Sequence, residues 1–357
     1  MKKLLFSAYS LDLGGIETAL VTLTNYLVKK DYEITIVLEK KEGIFLNKLD
    51  KKIKVLEYTP SENKNIVIRK IENLKKRIEW NKKYHNYFDF SACFATYSKA
   101  GGMLARTSSK NTAIWGHADY YELFNHNEKD LIKFFKERKV KKFKHIIFVS
   151  EEGKNSFLKA FPDCKNKTIT CNNMIDAKNI LKMSDEEIEI EKNSFTFVNV
   201  GRHDERQKKL SRLIDSAKNL KDENKKFKIW LIGEGPDTEK YKKMVKEKNL
   251  SDYIVFLGKK KNPYPYYKKA DCVVLTSEYE GYPVVFLESK VLNKPIITTK
   301  VSDYKDIENK FGIVVEKEAK DIACAMKEVL DNGYEIKEKF DYNKFNQEIE
   351  EKLSKIF

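Results

Sequence analysis

Residues 277–295 read SEYEGYPVVFLESKVLNKP. The run that leads into them, ADCVVLTS at 270–277, is apolar and rich in β-branched residues, which predicts a buried strand ending where the stretch begins. Gly281 supplies backbone freedom and Pro283 suits the first position of a helix, so a helix is expected over 283–291. In open α/β sheets, ligands bind in the crevice beyond the carboxyl ends of the strands. The free amides at such a helix start carry partial positive charge, which suits a phosphate or a sugar hydroxyl. Glu280 in the loop and Glu288 in the helix bracket the element with seven residues between them. One can reach the far end of a ligand while the other holds its near end, and a nucleotide sugar has that length.

Working back along the chain, SFTFVNVGR at 194–202 reads as another strand, delivering Gly201 and Arg202 at its carboxyl end. Gln207 and Lys208 follow in the loop before a helix expected around 211–220. Arginine offers a planar fork of donors and lysine a compact charge, and together they can clamp a diphosphate. At the amino end, a strand over 2–8 runs into Leu13-Gly14-Gly15-Ile16-Glu17 and a helix with Ala19, Leu20, Leu23 and Leu27 at helical spacing. The glycine pair permits close approach to a ligand or simply makes a tight turn, and Glu17 suits a helix's first turn with no ligand at all. Strands are expected near 33–39, 53–57, 145–149, 228–232, 251–258 and 296–299. His117 follows a strand over 112–116, a place where histidines usually serve structure.

The 357 residues suffice for two cores. The polar, acidic segment 177–193 reads as a linker, separating a domain of residues 1–180 from one of 194–340. Five scattered cysteines without a Cys-x-x-Cys pair read as reduced residues of a cytoplasmic protein. The apolar run at the amino end is short and broken by Asp12 and Glu17, so it reads as a strand rather than a signal peptide. No run approaches the ~18 apolar residues of a membrane span, so membrane contact is expected to be peripheral, on the inner face. Of the net charge of +15, residues 1–180 carry +13, from 34 basic and 21 acidic side chains. Such a surface suits nucleic acid, an anionic bilayer or a phosphorylated acceptor. Two basic amphipathic stretches are candidates for a membrane surface. One is a helix over 66–80, with Val67, Ile71, Leu74 and Ile78 on one side. The other is 131–144, with seven basic residues against Glu137 and with Phe134, Phe135 and Phe143 interleaved.

The Glu-x7-Glu spacing around Gly281-x-Pro283, followed by Lys-Pro and IITT, resembles the donor site of the family 4 retaining glycosyltransferases of GT-B fold. Gly14-Gly15, Gly201-Arg202, Lys208, the Trp-x-His segment ending at His117, the Gly233–Pro236 loop and CNNMID at 171–176 extend the resemblance over nearly the whole chain. Cys171 and Asn172 depart from the family in detail, and Asp303 and Tyr304 stand where it often has a small Gly-rich turn. The resemblance implies two Rossmann-like α/β domains with parallel sheets facing across a cleft, the donor on the second and the acceptor on the first. It also implies that a helix over 341–357 crosses back to brace the first domain.

It further implies transfer of a sugar, with retention, from a nucleotide sugar, most simply a UDP-sugar, to a saccharide acceptor. A lipid-linked acceptor in surface polysaccharide or glycolipid synthesis is expected. Catalysis falls to Glu280, His117, Arg202 and Lys208. Donor binding falls to Gly14, Gly15, Gly201, Arg202 and Lys208, and to Glu280, Gly281, Tyr282, Pro283, Val284 and Glu288. Glu280 is assigned to sugar hydroxyls and Glu288 to the ribose. No Asp-x-Asp triplet stands at a strand end to hold a divalent metal, so neither metal nor cofactor is expected. A nucleotide-sugar epimerase or a phosphorylase would share the fold. A nucleic-acid binder would share the charge, but neither a recognition helix nor an aromatic sheet motif accompanies it.

Overall fold

A computed structural model describes residues 1–12 and 14–357; Leu13, at the head of the Gly14-Gly15 loop, lies outside the described residues. The alternation of short apolar strands and amphipathic helices folds into two units, each built on one parallel sheet. Parallel neighbours need a long crossover, usually a helix, and the segments between strands supply it.

The first unit comprises Met1–Met174 and Asn343–Phe357. Its strands are β1 (Lys3–Ala8), β2 (Glu33–Leu38), β3 (Lys54–Glu57), β4 (Phe90–Cys93), β5 (Thr112–Gly116), β6 (His145–Phe148) and β7 (Thr168–Thr170). They lie in the order β3-β2-β1-β4-β5-β6-β7. The helices are α1 (Gly15–Leu27), α2 (Ile66–Tyr84), α3 (Lys99–Ser108), α4 (Tyr120–Leu123), α5 (Glu128–Glu137) and α6 (Glu151–Ala160). The second unit comprises Ile175–Tyr342. It holds α7 (Ala177–Ser184), β8 (Thr196–Val200), α8 (Leu210–Asp222), β9 (Lys228–Ile232), α9 (Thr238–Glu247), β10 (Ile254–Gly258), α10 (Tyr264–Lys269), β11 (Cys272–Leu275), α11 (Val284–Val291), β12 (Ile296–Thr299), β13 (Gly312–Val315) and α12 (Ala319–Asn332). Its sheet runs β10-β9-β8-β11-β12-β13.

In that sheet the order reverses between β8 and β11, the place where open α/β sheets offer a crevice to ligands. Gly201 and Arg202 follow β8, and Ser277 to Glu280 follow β11. The last helix, α13 (Tyr342–Ser354), belongs almost wholly to the first unit. It delivers Phe357 to the first sheet, where its ring lies 4.8 Å from Phe90, 5.8 Å from Tyr32 and 6.4 Å from Phe6.

Two expectations change, and a third gains detail. The segment 131–144 is not one helix: α5 stops at Glu137, Lys139 turns left-handed with a φ of 53°, and Phe135 and Phe143 are buried. Its aromatic side therefore completes the first core instead of facing out. Part of the expected linker is ordered as α7, because the Asp176 side chain accepts from Asn179 N and Asn262 Nδ2 donates to Met183 O at 2.8 Å. Helix α2 forms, but Val67, Ile71, Leu74 and Ile78 face solvent while Trp80 holds it to the first unit.

Phe357→Ala removes a mostly buried ring with three aromatic neighbours. It should lower the stability of the first unit by about 3 kcal/mol, read by urea unfolding; an unchanged midpoint would show that the ring carries none of that core.

Candidate active site

The crevice between β8 and β11 is organised by a buried ion pair. Lys208 Nζ lies 2.5 Å from Glu280 Oε1, with side-chain exposures of 16% and 8%. Ser277 Oγ donates to the same oxygen at 2.7 Å, and Gln207 Nε2 donates to Oε2 at 3.2 Å. Glu280 is thereby held on three sides, as a carboxylate removed from water requires. The loops that carry the pair are latched together: Glu278 N donates to Gln207 O at 2.7 Å and Thr276 Oγ1 to Lys208 O at 3.1 Å. From the β12 side, Ser302 Oγ donates to Glu280 O at 2.9 Å and Thr299 Oγ1 to Ser277 O at 2.7 Å.

Two glycines lie beneath this pair, and at the second of them space requires glycine. The Lys208 stem lies across Gly201, where a Cβ would sit 3.3 Å from Cε. Gly233, with a φ of 133°, presses its backbone against the Gly201 carbonyl so closely that any Cβ would collide with it. Gly281, by contrast, is not among the residues of positive φ. Pro283 stands one position earlier than expected, extended at φ −63° and ψ 120°, and Val284 begins α11.

Glu288 is not a solvated helix residue. It is 8% exposed, and its Oε2 accepts from Tyr267 OH at 2.9 Å. Burial pushes its pKa up, opposed by hydrogen bonds from Tyr267 and Tyr264 and by the charge of Lys208. Lys208 thus acts on both glutamates. The two tyrosines were not singled out from sequence, although YPYY at 264–267 places them three apart and so on one side of a helical turn.

Tyr282 is buried with its OH donating to Asp306 Oδ2 at 2.9 Å. Nearby, burial lowers the pKa of Lys290 to about 8, and its ammonium lies 4.9 Å from the Phe311 ring centroid. Asp303, where a Gly-rich turn was the family expectation, takes a left-handed φ of 56° itself, a conformation aspartate tolerates better than most residues.

Arg212 is committed to Glu278 at 2.5 Å, and Lys317 Nζ adds a contact to the same carboxylate at 3.1 Å. Arg202 is exposed, and its guanidinium has no hydrogen bond or ion pair among the described residues. Also among the described residues, no cluster of three His, Cys, Asp or Glu is arranged to hold a metal.

Gly14, Gly15 and His117 lie in the first unit. Gly14 precedes α1 in an extended conformation, and a Cβ there would collide with the Glu17 carboxylate folded over it. Gly15 opens α1 and is exposed. The His117 ring packs 4.6 Å from Phe94, its Nε2 is buried without a partner, and burial pushes its pKa down to about 3. It is neutral at physiological pH.

Residues 182–347 match the family described as Glycosyl transferases group 1. A stretch of 159 residues is 33% identical to an uncharacterized glycosyltransferase of Methanocaldococcus jannaschii, covering 43% of this chain and 39% of that protein. Over 325 residues, 88% of this chain and 86% of the relative, it is 26% identical to the N-acetylgalactosamine-N,N'-diacetylbacillosaminyl-diphospho-undecaprenol 4-alpha-N-acetylgalactosaminyltransferase of Campylobacter jejuni. Anabaena HepE, solved in complex with UDP and glucose, superposes with a TM-score of 0.76 at 16% identity, over 99% of this chain and 100% of that one. Sucrose-phosphate synthase from Thermosynechococcus elongatus gives 0.77 at 14% identity, over 100% and 99%. Residues 182–347 are thus similar to the group 1 glycosyl transferases, and the chain has the GT-B fold of these solved structures.

The raised pKa of Glu288 means that the folded chain keeps this proton to higher pH than the unfolded chain does. Stability therefore falls as pH rises from the ordinary value of 4.5 through the folded pKa. Glu288→Gln, which does not titrate, should melt above the wild type near pH 7, with the gap narrowing near pH 4. A gap that widens on acidification would reverse the assignment.

Proposed function

We propose that this protein moves a sugar from a nucleotide sugar, a UDP-sugar first, to a saccharide acceptor, with retention of configuration and without a divalent metal. The observation that carries this reading is Arg202, exposed and unpaired at the end of β8, where Lys208 is already tied to Glu280. The arginine fork and the lysine together match a diphosphate. The UDP held by the HepE structure supports the choice of base.

When the bond between the sugar's anomeric carbon and the β-phosphate oxygen breaks, charge grows on that phosphate. Arg202, Lys208 and the amides at the start of α11 are proposed to stabilise it, which is where electrostatic catalysis gains most. The acceptor oxygen forms its new bond on the face the phosphate leaves, and the departing phosphate takes the acceptor's proton. Glu280 orients sugar hydroxyls and Glu288 the ribose. His117, held neutral by burial, is proposed as a hydrogen-bonding partner for the sugar and not as an acid.

The name of the Campylobacter relative describes an acceptor carried on diphospho-undecaprenol, which supports a lipid-linked acceptor in polysaccharide or glycolipid synthesis. The excess of +13 on residues 1–180 supports peripheral contact with an anionic membrane from the cytoplasmic side.

Arg202→Ala deletes charge-assisted hydrogen bonds worth roughly 1.5 to 3 kcal/mol each. It should weaken UDP binding about tenfold or more by calorimetry, at an unchanged melting temperature; equal affinity would remove Arg202 from the site. Glu280→Gln should lower turnover while leaving UDP affinity nearly intact, whereas Glu288→Gln should weaken both UDP and UDP-sugar. Identical behaviour of the two variants would overturn their division between sugar and ribose.

A further inference from the structure

Helix α2 touches the first unit along one narrow side. Trp80 is buried there, its Nε1 donating to Ser108 Oγ at 3.0 Å, and its ring lies 5.8 Å from Tyr58. Asn73 Oδ1 accepts from Ser61 N at 2.8 Å, and Lys76 Nζ donates to Thr59 O at 2.7 Å. With about 100° of turn per residue, Val67, Ile71, Leu74 and Ile78 form a stripe roughly 60° wide that points about 150° away from Trp80. These four are exposed by 65%, 50%, 56% and 46%, and Ile66 and Ile68, also exposed, stand on either side of the stripe in the first turn.

A lone exposed isoleucine needs no explanation, but a row of branched aliphatic side chains along one helix face does. Lys70 and Arg77 run along one edge of the stripe, and Lys75 and Lys82 along the other, all exposed. Over Ile66–Tyr84 there are seven basic residues against Glu72 and Glu79. A second copy seated on this face would bring two rows of like charge together, whereas an anionic surface would neutralise them. Cations at the border of an apolar stripe can lay their stems along it and raise their charged ends to a polar layer. The segment 131–144 offers no such face, since Phe135 and Phe143 point into the core.

We propose that α2 is the element by which this protein lies on an anionic lipid bilayer. Val67, Ile71, Leu74 and Ile78 enter the acyl boundary, while Lys70, Lys75, Arg77 and Lys82 meet lipid phosphates. The inference deepens the membrane part of the proposed function and rests on that reading for its purpose. Lys70, Leu74 and Arg77 also line a groove of about 600 Å³ shared with Tyr9, Glu39 and Tyr97, so a bilayer under α2 borders this concavity of the first unit.

The test is co-sedimentation of the full chain with vesicles of phosphatidylcholine alone and of phosphatidylcholine with phosphatidylglycerol. The wild type should pellet with the anionic vesicles, less as salt rises. The triple variant Val67→Ser, Ile71→Ser, Ile78→Ser should lose on the order of tenfold in partitioning per side chain. Its melting temperature should not change, because these residues are exposed. Lys70→Gln with Lys75→Gln and Lys82→Gln should weaken binding and flatten its salt dependence. Pelleting of the serine variant like the wild type, or no wild-type pelleting with anionic vesicles, overturns the proposal. So does a wild-type dimer, by sedimentation velocity, that the serine variant converts to monomer, which would assign the stripe to a second copy. UDP affinity measured without vesicles separates the two readings: its absence in a wild type that still binds vesicles sinks the transferase reading and leaves this one standing.

Discussion

A carboxylate taken out of water has to be given partners, and the loops beyond β8 and β11 of the second unit are built around giving them to Glu280. Lys208, Ser277 and Gln207 reach it from two different loops, so those loops must be held in register. Thr276 and the Glu278 amide do this from one side, and Ser302 and Thr299 from the other. The closeness this demands leaves no room for a side chain at Gly233. Removing one partner of such a pair typically costs several kcal/mol, because the other charge is left buried alone. The site is therefore rigid on the Glu280 side and open on the Arg202 side.

The strands were legible because parallel strands covered on both faces read as near-continuous apolar runs, as CVVL of β11 and KIWLI of β9 do. Lys208 was assigned to a diphosphate, and its ion pair with Glu280 was not foreseen, because the pairing of β8 with β11 that brings the two loops together is a long-range contact which strand spacing does not reveal. The burial of Glu288 had a sequence signal that a spacing argument passes over. VVFLESKV is apolar on nearly all sides, and α11 buries Val285 through Lys290 without a break, so its glutamate had to go inside with the rest. The left-handed Lys139 left no mark in the sequence, since lysine has no preference for that conformation, and the break in 131–144 went with it.

Helix α2 shows the limit of periodicity in another way. A spacing of three and four says which side chains share a face, but the protein chooses which face to cover. Here it covers the one that carries Trp80 and Tyr84, whose rings pack against Tyr58 and Phe88 of the first unit. The basic residues then flank the side left in solvent. The charge asymmetry of the first half of the sequence thus acquires a location.

The placement of Phe357 bears on the order in which the chain assembles. Its ring closes an aromatic cluster with Phe6 and Phe90, on the first and fourth strands of the first sheet, yet it is made more than 250 residues after Phe90. During synthesis the first unit emerges with that cluster open, and the whole second unit emerges before it can close. Domains generally fold in the order in which they are made; here the first to begin has to wait for the second before it is finished.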